Sequence, residues 1–337
     1  MTQKRISIKD IARLSGVSIA TVSRVLNGKG GGYSQKTADK IMAIANSYGY
    51  VSNMAAKSLR ESKSHTIGLI VPDISNDFFS TLAFYIENIM AKHSYSVFIC
   101  NTGNKISKEK EYFRTLIGKG VDGIICSSGL NLLTDEVIFN NLPIVCIDRY
   151  SENSKHILTI LNDELHGSFI ATEHLIKKGC KNILFLGFHT NNPDYLDREK
   201  GYLQALATYD MFQDKNYILY RSPKYSSCRD AEELVTEFLK TGLPLDGIFA
   251  SNDHLALGAL YSLQHHGYHV PNDVQIVGFD NSLYSRLPIP SISTIERNPQ
   301  ELASKGCDAL IQLMNGKTPE TFNITVPVQL VERESTK

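Results

Sequence analysis

The sequence has no long apolar run and no apolar leader. No stretch approaches 18 consecutive apolar residues, the length typical of a membrane-spanning helix, so we expect no such helix. The first ten residues, MTQKRISIKD, lack the apolar core of a signal peptide, which predicts a cytoplasmic protein. The six cysteines are widely spaced and form no CxxC pair, which favours buried, reduced thiols over a metal or redox centre.

The short motifs of several enzyme classes are also absent. The sequence contains neither GxGxxG nor GxxxxGK, the glycine-rich patterns that hold dinucleotides and nucleotide phosphates. It has no GxSxG nucleophile elbow either. We therefore expect a protein that is not an enzyme and that needs no cofactor or metal. A sugar kinase or hydrolase stays an alternative, because dispersed residues can converge in the folded chain.

The net charge is zero, but the charges are unevenly distributed. Lys plus Arg and Asp plus Glu number 35 each. Residues 1–60 hold ten basic residues against two acidic ones, and the remainder holds 25 against 33. A basic head on an acidic body favours a polyanionic partner for the head alone.

Three short helices are predicted in this basic head. Ser7 and Asp10 match a capping box at the start of the first helix, and Gly16 ends it. Ser18 caps a second helix and Ser34 a third. The three apolar stripes are Ile8, Ile11, Ala12; Val22, Val25, Leu26; and Ala38, Ile41, Met42, Ala45, Tyr48. Two short helices joined by a tight turn form the helix-turn-helix arrangement.

The outward face of the second helix has side chains suited to the major groove of DNA. Ile19 and Ala20 are small enough for close approach, and Thr21 and Ser23 can reach phosphates. Arg24 can pair with a guanine edge, a contact that discriminates between bases by about 1–3 kcal/mol. The alternative is a three-helix module that binds another protein.

The stretches IKDIARLSGVSIATVSRVLN and KTADKIMAIANSYGYVSNMAAKSL closely resemble the DNA-binding head of the LacI/GalR family of bacterial repressors. The resemblance implies a helix-turn-helix domain over residues 1–50 and a hinge helix with linker over 51–63. It implies that Ala56 enters the minor groove and that Leu59 wedges between base pairs. The glycine-rich GKGGGYS departs from the usual family loop, and Lys29 within it is a candidate phosphate contact. The predicted DNA-binding residues are Ser18, Ile19, Ala20, Thr21, Ser23, Arg24, Asn27, Lys29, Asn53, Ala56 and Leu59.

The rest of the chain is typical of an α/β protein. Apolar runs such as TIGLIVP, PIVCIDR, NILFLGF and VQIVGFD alternate with amphipathic stretches, which predicts doubly wound parallel sheets. Polar residues follow several of these runs, at the strand ends where open α/β sheets bind ligands. The alternative for each such residue is ordinary turn and cap chemistry.

This body is similar to the sugar-binding core of the same family and to periplasmic sugar-binding proteins. The resemblance implies an effector-binding and dimerisation core over 64–337, with one subdomain over about 64–161 and 293–323 and the other over about 162–292 and 324–334. The effector would lie in the cleft between them. The implied effector residues are Asn76, Phe78, Phe79, Asp148, Arg149, Arg198, Asn252, Asp280 and Arg297.

The residue types in this set are close to the ribose-receptor pattern, with fructose or sucrose as alternatives. Arg297 stands where many relatives carry glutamine, and arginine suits a phosphorylated sugar. We therefore predict a homodimeric transcriptional repressor of carbohydrate-utilisation genes that binds a near-palindromic operator and a small carbohydrate, but no membrane. The alternatives are a non-catalytic sugar receptor and a global carbon regulator that responds to a phosphorylated partner protein.

Overall fold

The computed structural model describes residues 6–28, 31–50, 63–127, 142–149, 157–188, 193–211, 214–221 and 228–337. The chain divides into two compact units, Met1–Ser64 and His65–Lys337. Among the described residues, no helix is long and apolar enough to cross a membrane.

The small unit is a bundle of three helices, α1 (Ile8–Ser15), α2 (Ile19–Leu26) and α3 (Gln35–Ser47). The predicted capping box is confirmed. The Ser7 hydroxyl accepts a hydrogen bond from the Asp10 amide at 3.3 Å, and the Asp10 carboxylate accepts one from the Ser7 amide at 3.0 Å. Gly16 ends α1 at φ 72°, in the left-handed region that glycine adopts without strain.

The core of the small unit is built around Ile11, Val22 and Ile41, one from each helix, all fully buried. The predicted stripe of α3 was wrong at two positions. Met42 is 44% exposed and Tyr48 is 59% exposed. Successive residues of a helix are rotated by about 100°, so the side chain after Ile41 is directed to the flank of the buried face.

The large unit alternates strands and helices. Its first stretch contains β1 (Thr66–Val71), α4 (Asp77–Lys92), β2 (Ser96–Asn101), α5 (Ile106–Gly118), β3 (Gly123–Cys126), β4 (Ile144–Ile147), β5 (Leu158–Asn162) and α6 (Glu164–Lys177). Its second stretch contains β6 (Ile183–Phe188), α7 (Pro193–Thr208), β7 (Ile218–Arg221), α8 (Cys228–Lys240), β8 (Gly247–Ala250), α9 (Asp253–His265), β9 (Gln275–Phe279) and α10 (Leu283–Arg286). The last stretch contains β10 (Ser293–Glu296), α11 (Pro299–Met314), β11 (Asn323–Val326) and β12 (Gln329–Val331).

The strands form two six-stranded sheets, as the apolar runs predicted. The first sheet is parallel, in the order β11-β5-β4-β3-β1-β2. The second has the order β12-β10-β9-β8-β6-β7 and is parallel except for β12, which runs antiparallel to β10. Helices α4 and α11 cover one face of the first sheet and α5 the other. Helices α8 and α9 cover one face of the second sheet, and α6 and α7 the other.

We expected the chain to re-enter the first subdomain at residue 293, but it returns to the first sheet later. Strand β10 lies in the second sheet, and α11 is the first later element that packs on the first sheet. Likewise β11, which crosses the expected boundary at 324, lies in the first sheet. Buried hydroxyl groups of β10 form hydrogen bonds that hold this strand in the second sheet. Thr294 donates to Asp253 at 2.6 Å, and the Ser293 hydroxyl lies 2.8 Å from that of Thr336.

Candidate functional site

The second helix of the small unit presents its predicted face outward. Ser18, Ile19, Ala20, Arg24 and Asn27 are exposed. The side chains of Thr21 and Ser23 are half-buried. The buried side of the same helix holds Val22 and Val25, which fixes the opposite face toward solvent.

Several polar residues of this face also hold the ends of α2. The Ser18 hydroxyl accepts a hydrogen bond from the Thr21 amide at 3.1 Å, which makes Ser18 the N-cap. The Asn27 side-chain amide donates to the Ser23 carbonyl at 2.7 Å at the other end. These contacts pre-set the backbone of a short helix, and they give Ser18 and Asn27 a structural role beside any DNA contact.

The glycine-rich loop makes room for Arg24. A Cβ atom at Gly32 would lie 2.6 Å from Nη1 of Arg24, and Gly32 has a φ of 82°. The positive φ favours glycine, whereas the Arg24 guanidinium is the end of a flexible side chain and can move away from an added Cβ atom. The remaining predicted DNA contacts, Lys29, Asn53, Ala56 and Leu59, lie outside the described residues, as does the predicted hinge segment over 53–59.

In the large unit, all nine predicted effector residues line one cleft. They are Asn76, Phe78, Phe79, Asp148, Arg149, Arg198, Asn252, Asp280 and Arg297. They come from residues that follow strands of both sheets and from α4 and α7. The cleft is therefore built from elements that are far apart in the sequence.

Helix caps orient the two amides of the cleft. Asn76 caps α4, and its side-chain oxygen accepts a hydrogen bond from the Phe78 amide at 3.0 Å. Asn252 caps α9 in the same way, through the Leu255 amide at 2.8 Å. The first turn of α4 carries Phe78 and Phe79, whose rings meet edge to face with centroids 5.1 Å apart.

Two carboxylates of the cleft lie on backbone that is unusual for residues other than glycine. Asp148, directly after β4, has φ 62°, and Asp280, directly after β9, has φ 108°. Positive φ costs free energy in residues with a Cβ atom and is concentrated at functional sites. This geometry ends each strand abruptly and leaves both carboxyl groups at the cleft.

A network of ion pairs connects the two sides of the cleft. The Arg297 guanidinium contacts Asp148, Glu164 at 3.0 Å and Asp280 at 3.2 Å. Arg198 contacts Glu164 at 2.5 Å, lies 3.7 Å from Asp280 and donates to the Ser251 carbonyl. Except for Asp280, whose side chain is 11% exposed, every charged side chain of this network is at least 93% buried.

The sequence interpretation did not include Glu164. This residue begins α6, separated from β5 only by the N-cap Asp163, and is buried against Arg198 and Arg297. The sequence does contain the pattern that identified the other candidates, because the polar residues Asp163 and Glu164 follow the strand-like run LTILN. Polar Thr159 and Asn162 interrupt that run and weaken its resemblance to a buried strand.

Burial changes the protonation equilibria of the network. Desolvation raises the pKa of the Asp280 carboxyl, while the charge of Arg198 opposes this increase. Burial lowers the pKa of the Arg297 guanidinium to about 9. The guanidinium therefore stays largely protonated at neutral pH.

This set of groups can bind a polyhydroxylated ligand. Carboxylates accept and guanidinium groups donate several hydrogen bonds to hydroxyls, while aromatic rings pack on C–H faces. Within the described ranges, no group of three or more His, Cys, Asp or Glu side chains is placed to hold a metal ion. The cleft has the chemistry of a binding site for a small polar organic molecule.

Comparison with known proteins gives matches at both ends of the chain and over its whole length. The family model for bacterial regulatory proteins of the lacI family matches residues 7–53, and the periplasmic binding protein-like domain matches residues 172–336. The ribose operon repressor of Halalkalibacterium halodurans is 34% identical over 98% of this chain and 97% of its own length.

Two solved structures show the same architecture. A periplasmic binding protein/LacI transcriptional regulator from Alkaliphilus metalliredigens, complexed with D-xylulofuranose, is 32% identical with a TM-score of 0.71 over 81% of this chain and 99% of its own. The lac repressor dimer bound to operator and the anti-inducer ONPF has a TM-score of 0.85 at 24% identity, over 99% of each chain. The latter similarity concerns the fold alone.

Proposed function

Because the chain belongs to the LacI family of bacterial regulatory proteins, we propose that it is a transcriptional repressor whose operator affinity is controlled by a small carbohydrate. The observation that carries the proposal is the combination of two sites in one chain. The small unit exposes a helix-turn-helix face with Arg24 at its surface, and the large unit assembles nine polar and aromatic residues around one cleft. A DNA-binding regulator of this kind acts in the cytoplasm.

A ribose-like monosaccharide is the effector that the cleft supports best. The carboxylates Asp148 and Asp280 offer acceptors for hydroxyls, and the Phe79 ring offers apolar surface for the carbon skeleton. Two similar proteins agree with this chemistry. One is named for the ribose operon, and the other is complexed with a five-carbon sugar.

The effector would act by changing the relative arrangement of the two sheets. A ligand that contacts residues after strands of both sheets stabilises one relative arrangement of them. Residues 53–59 are the proposed hinge helix, in which Ala56 would enter the minor groove and Leu59 would wedge between base pairs. A coupling free energy of about 1–3 kcal/mol would change operator affinity by roughly 5- to 150-fold.

A homodimer fits both the operator and the surface of the large unit. Strand β2 is at the edge of the first sheet, and it exposes Phe98 by 45% and Ile99 by 49%. Phe84 on the adjacent helix α4 is 62% exposed. A second copy that covers these residues would place two heads on the half-sites of a near-palindromic operator.

The proposal is tested by footprinting the full-length protein on DNA fragments selected from its own genome. Arg24→Ala should weaken binding to the selected operator by about 10- to 100-fold, because a guanine contact of about 1–3 kcal/mol is lost. Binding to unrelated DNA should fall less. Arg13→Ala is the matched control, because Arg13 is an exposed arginine of the neighbouring helix that pairs with Asp10. The proposal is wrong if no fragment is protected at low salt. Equal weakening of both kinds of binding by Arg24→Ala would refute a base-reading role for Arg24.

A further inference from the structure

Arg297 is inserted among the acidic groups of the cleft. It lies between β10 and α11, is 4% exposed, and its guanidinium contacts Asp148, Glu164 and Asp280. Asp148 follows a strand of the first sheet and Asp280 a strand of the second. One side chain of the protein thus connects the same two carboxylates that a bound sugar would connect.

The guanidinium also covers an aromatic surface of the cleft. Its central carbon lies 3.7 Å from the centroid of the Phe78 ring, a distance at which a cation packs on a ring face. A sugar that stacks on Phe78 would need this face. Arg297 therefore occupies contacts of both kinds that a carbohydrate uses, the carboxylate oxygens and the ring.

These contacts pair basic side chains of the cleft with acidic ones. Its charged groups are three guanidinium groups, those of Arg149, Arg198 and Arg297, and three carboxyl groups. Both Arg198 and Arg297 already contact carboxylates. A sugar phosphate would add a charge of about −1.5 to −2 at neutral pH, and an unbalanced charge is costly where water is excluded. An uncharged sugar adds no charge to this network.

Given the proposed carbohydrate-binding role of the cleft, on which this inference rests, we propose that Arg297 is its specificity-determining residue. The guanidinium supplies the positive charge that Asp148, Glu164 and Asp280 require. Because its charge is already neutralised, it does not serve as a phosphate ligand. The effector that the cleft admits is a small uncharged carbohydrate, and the phosphorylated form of the same sugar is excluded.

The test compares sugars with their phosphates on the full-length protein. Thermal stabilisation and calorimetric binding are measured with D-ribose, D-ribose 5-phosphate, D-fructose, D-fructose 6-phosphate and inorganic phosphate. At least one uncharged sugar should bind at least tenfold more tightly than its phosphate, and inorganic phosphate should not bind. Tighter binding of a sugar phosphate than of its parent sugar would overturn the inference.

Two variants test the reason for the selectivity. Glu164→Gln removes one negative charge from the network, so the affinity for the sugar phosphate relative to the parent sugar should rise at least tenfold. Arg297→Gln removes a positive charge, so this ratio should not rise. An unchanged ratio in Glu164→Gln, or a loss of phosphate binding specific to Arg297→Gln, would contradict the charge argument.

Operator binding, measured in parallel, separates this inference from the proposed function. If the wild-type protein binds operator but none of the sugars, the inference on the cleft fails while the DNA-binding role stands. If it binds neither operator nor sugar, the proposed function fails as well.

Discussion

At the scale of single residues, Asp253 shows how a buried carboxyl group holds the polar end of the second sheet. One carboxylate oxygen accepts hydrogen bonds from the Ser282 amide at 2.7 Å and the Ser282 hydroxyl at 2.9 Å. The other oxygen accepts one from the Thr294 hydroxyl at 2.6 Å. These bonds fix the segment that follows β9 and carries Asp280, so Asp253 supports the cleft without lining it.

The pKa of Asp253 makes part of the stability dependent on pH. Desolvation raises this pKa from 3.8 to about 6, although the hydrogen bonds from Thr294 and Ser282 oppose the increase. The folded state therefore binds the proton more tightly than the unfolded state between these values. The resulting contribution to stability is present below about pH 4 and is lost as the pH rises through about 6.

We expect the free energy of unfolding of the wild type to fall, relative to that of Asp253→Asn, by up to roughly 3 kcal/mol between about pH 4 and pH 7. Urea denaturation at a series of pH values measures this difference. Asp273→Asn is the control, because hydrogen bonds from His269 lower the pKa of Asp273. The stability that this shift contributes is constant above about pH 4 and is lost only as the pH falls below it, so this variant should follow the wild-type slope above about pH 4. Equal slopes for the wild type and Asp253→Asn would show that burial does not shift this carboxyl group.

The membership of the cleft was predictable from the sequence, but its internal pairing was not. Polar residues that follow apolar runs lie at the same end of parallel strands, and this rule together with the family resemblance identified all nine lining residues. The partners of Arg297 were not predictable, because Asp148 is 149 positions away in the sequence. From the sequence, Arg297 suggested a sugar phosphate as an alternative to the favoured ribose-like sugar, whereas the structure shows it among three carboxyl groups.

At the scale of secondary-structure elements, the packing of α7 on α6 sets the geometry of the cleft. Gly201 on α7 faces α6, where a Cβ atom would meet the Leu165 carbonyl and lie 2.7 Å from Cβ of Ser168. Arg198 is one turn before Gly201, and Glu164 begins α6. The absence of a side chain at Gly201 therefore permits the contact between Arg198 and Glu164.

We expect Gly201→Ala to destabilise the protein by about 1–3 kcal/mol, because a methyl group there must push the two helices apart. Sugar binding should weaken as well, because Arg198 moves with α7. Thermal denaturation and calorimetry measure the two effects. Gly118→Ala in α5 is the control, because no atom lies within 4 Å of its added Cβ and alanine favours a helix. Unchanged stability and sugar affinity in Gly201→Ala would contradict this role of the helix pair.

The predictability of each element depended on how local its signals are. Capping residues next to apolar periodicity identified α1 and α2, because both signals lie within a few residues. The sheet to which β10 belongs was assigned wrongly, because its hydroxyls bond to Asp253 and Thr336, each more than 40 positions away. Sequence periodicity reports which residues form a strand, but not the sheet that the strand joins.

At the scale of the whole molecule, the proposed recognition of a near-palindromic operator requires two heads, and the edge of the first sheet offers a surface for a second copy. Ile99 lies on the same face of β2 as Val97, which packs against the core under α4. Phe84 projects from α4 on that side of the sheet. An exposed edge strand with apolar side chains is prone to pair with another chain, and a twofold-symmetric partner would satisfy it.

We expect the double variant Phe84→Asp with Ile99→Asp to be a monomer in sedimentation velocity, because two charges would be buried in the interface without partners. Its affinity for the operator should fall by at least 100-fold, since each head then binds its half-site alone. Its sugar affinity should be retained, because neither residue lines the cleft. Ile106→Asp is the control, because Ile106 is 57% exposed at the start of α5, on the opposite face of the sheet. A double variant that still sediments as a dimer would place the interface elsewhere on the large unit.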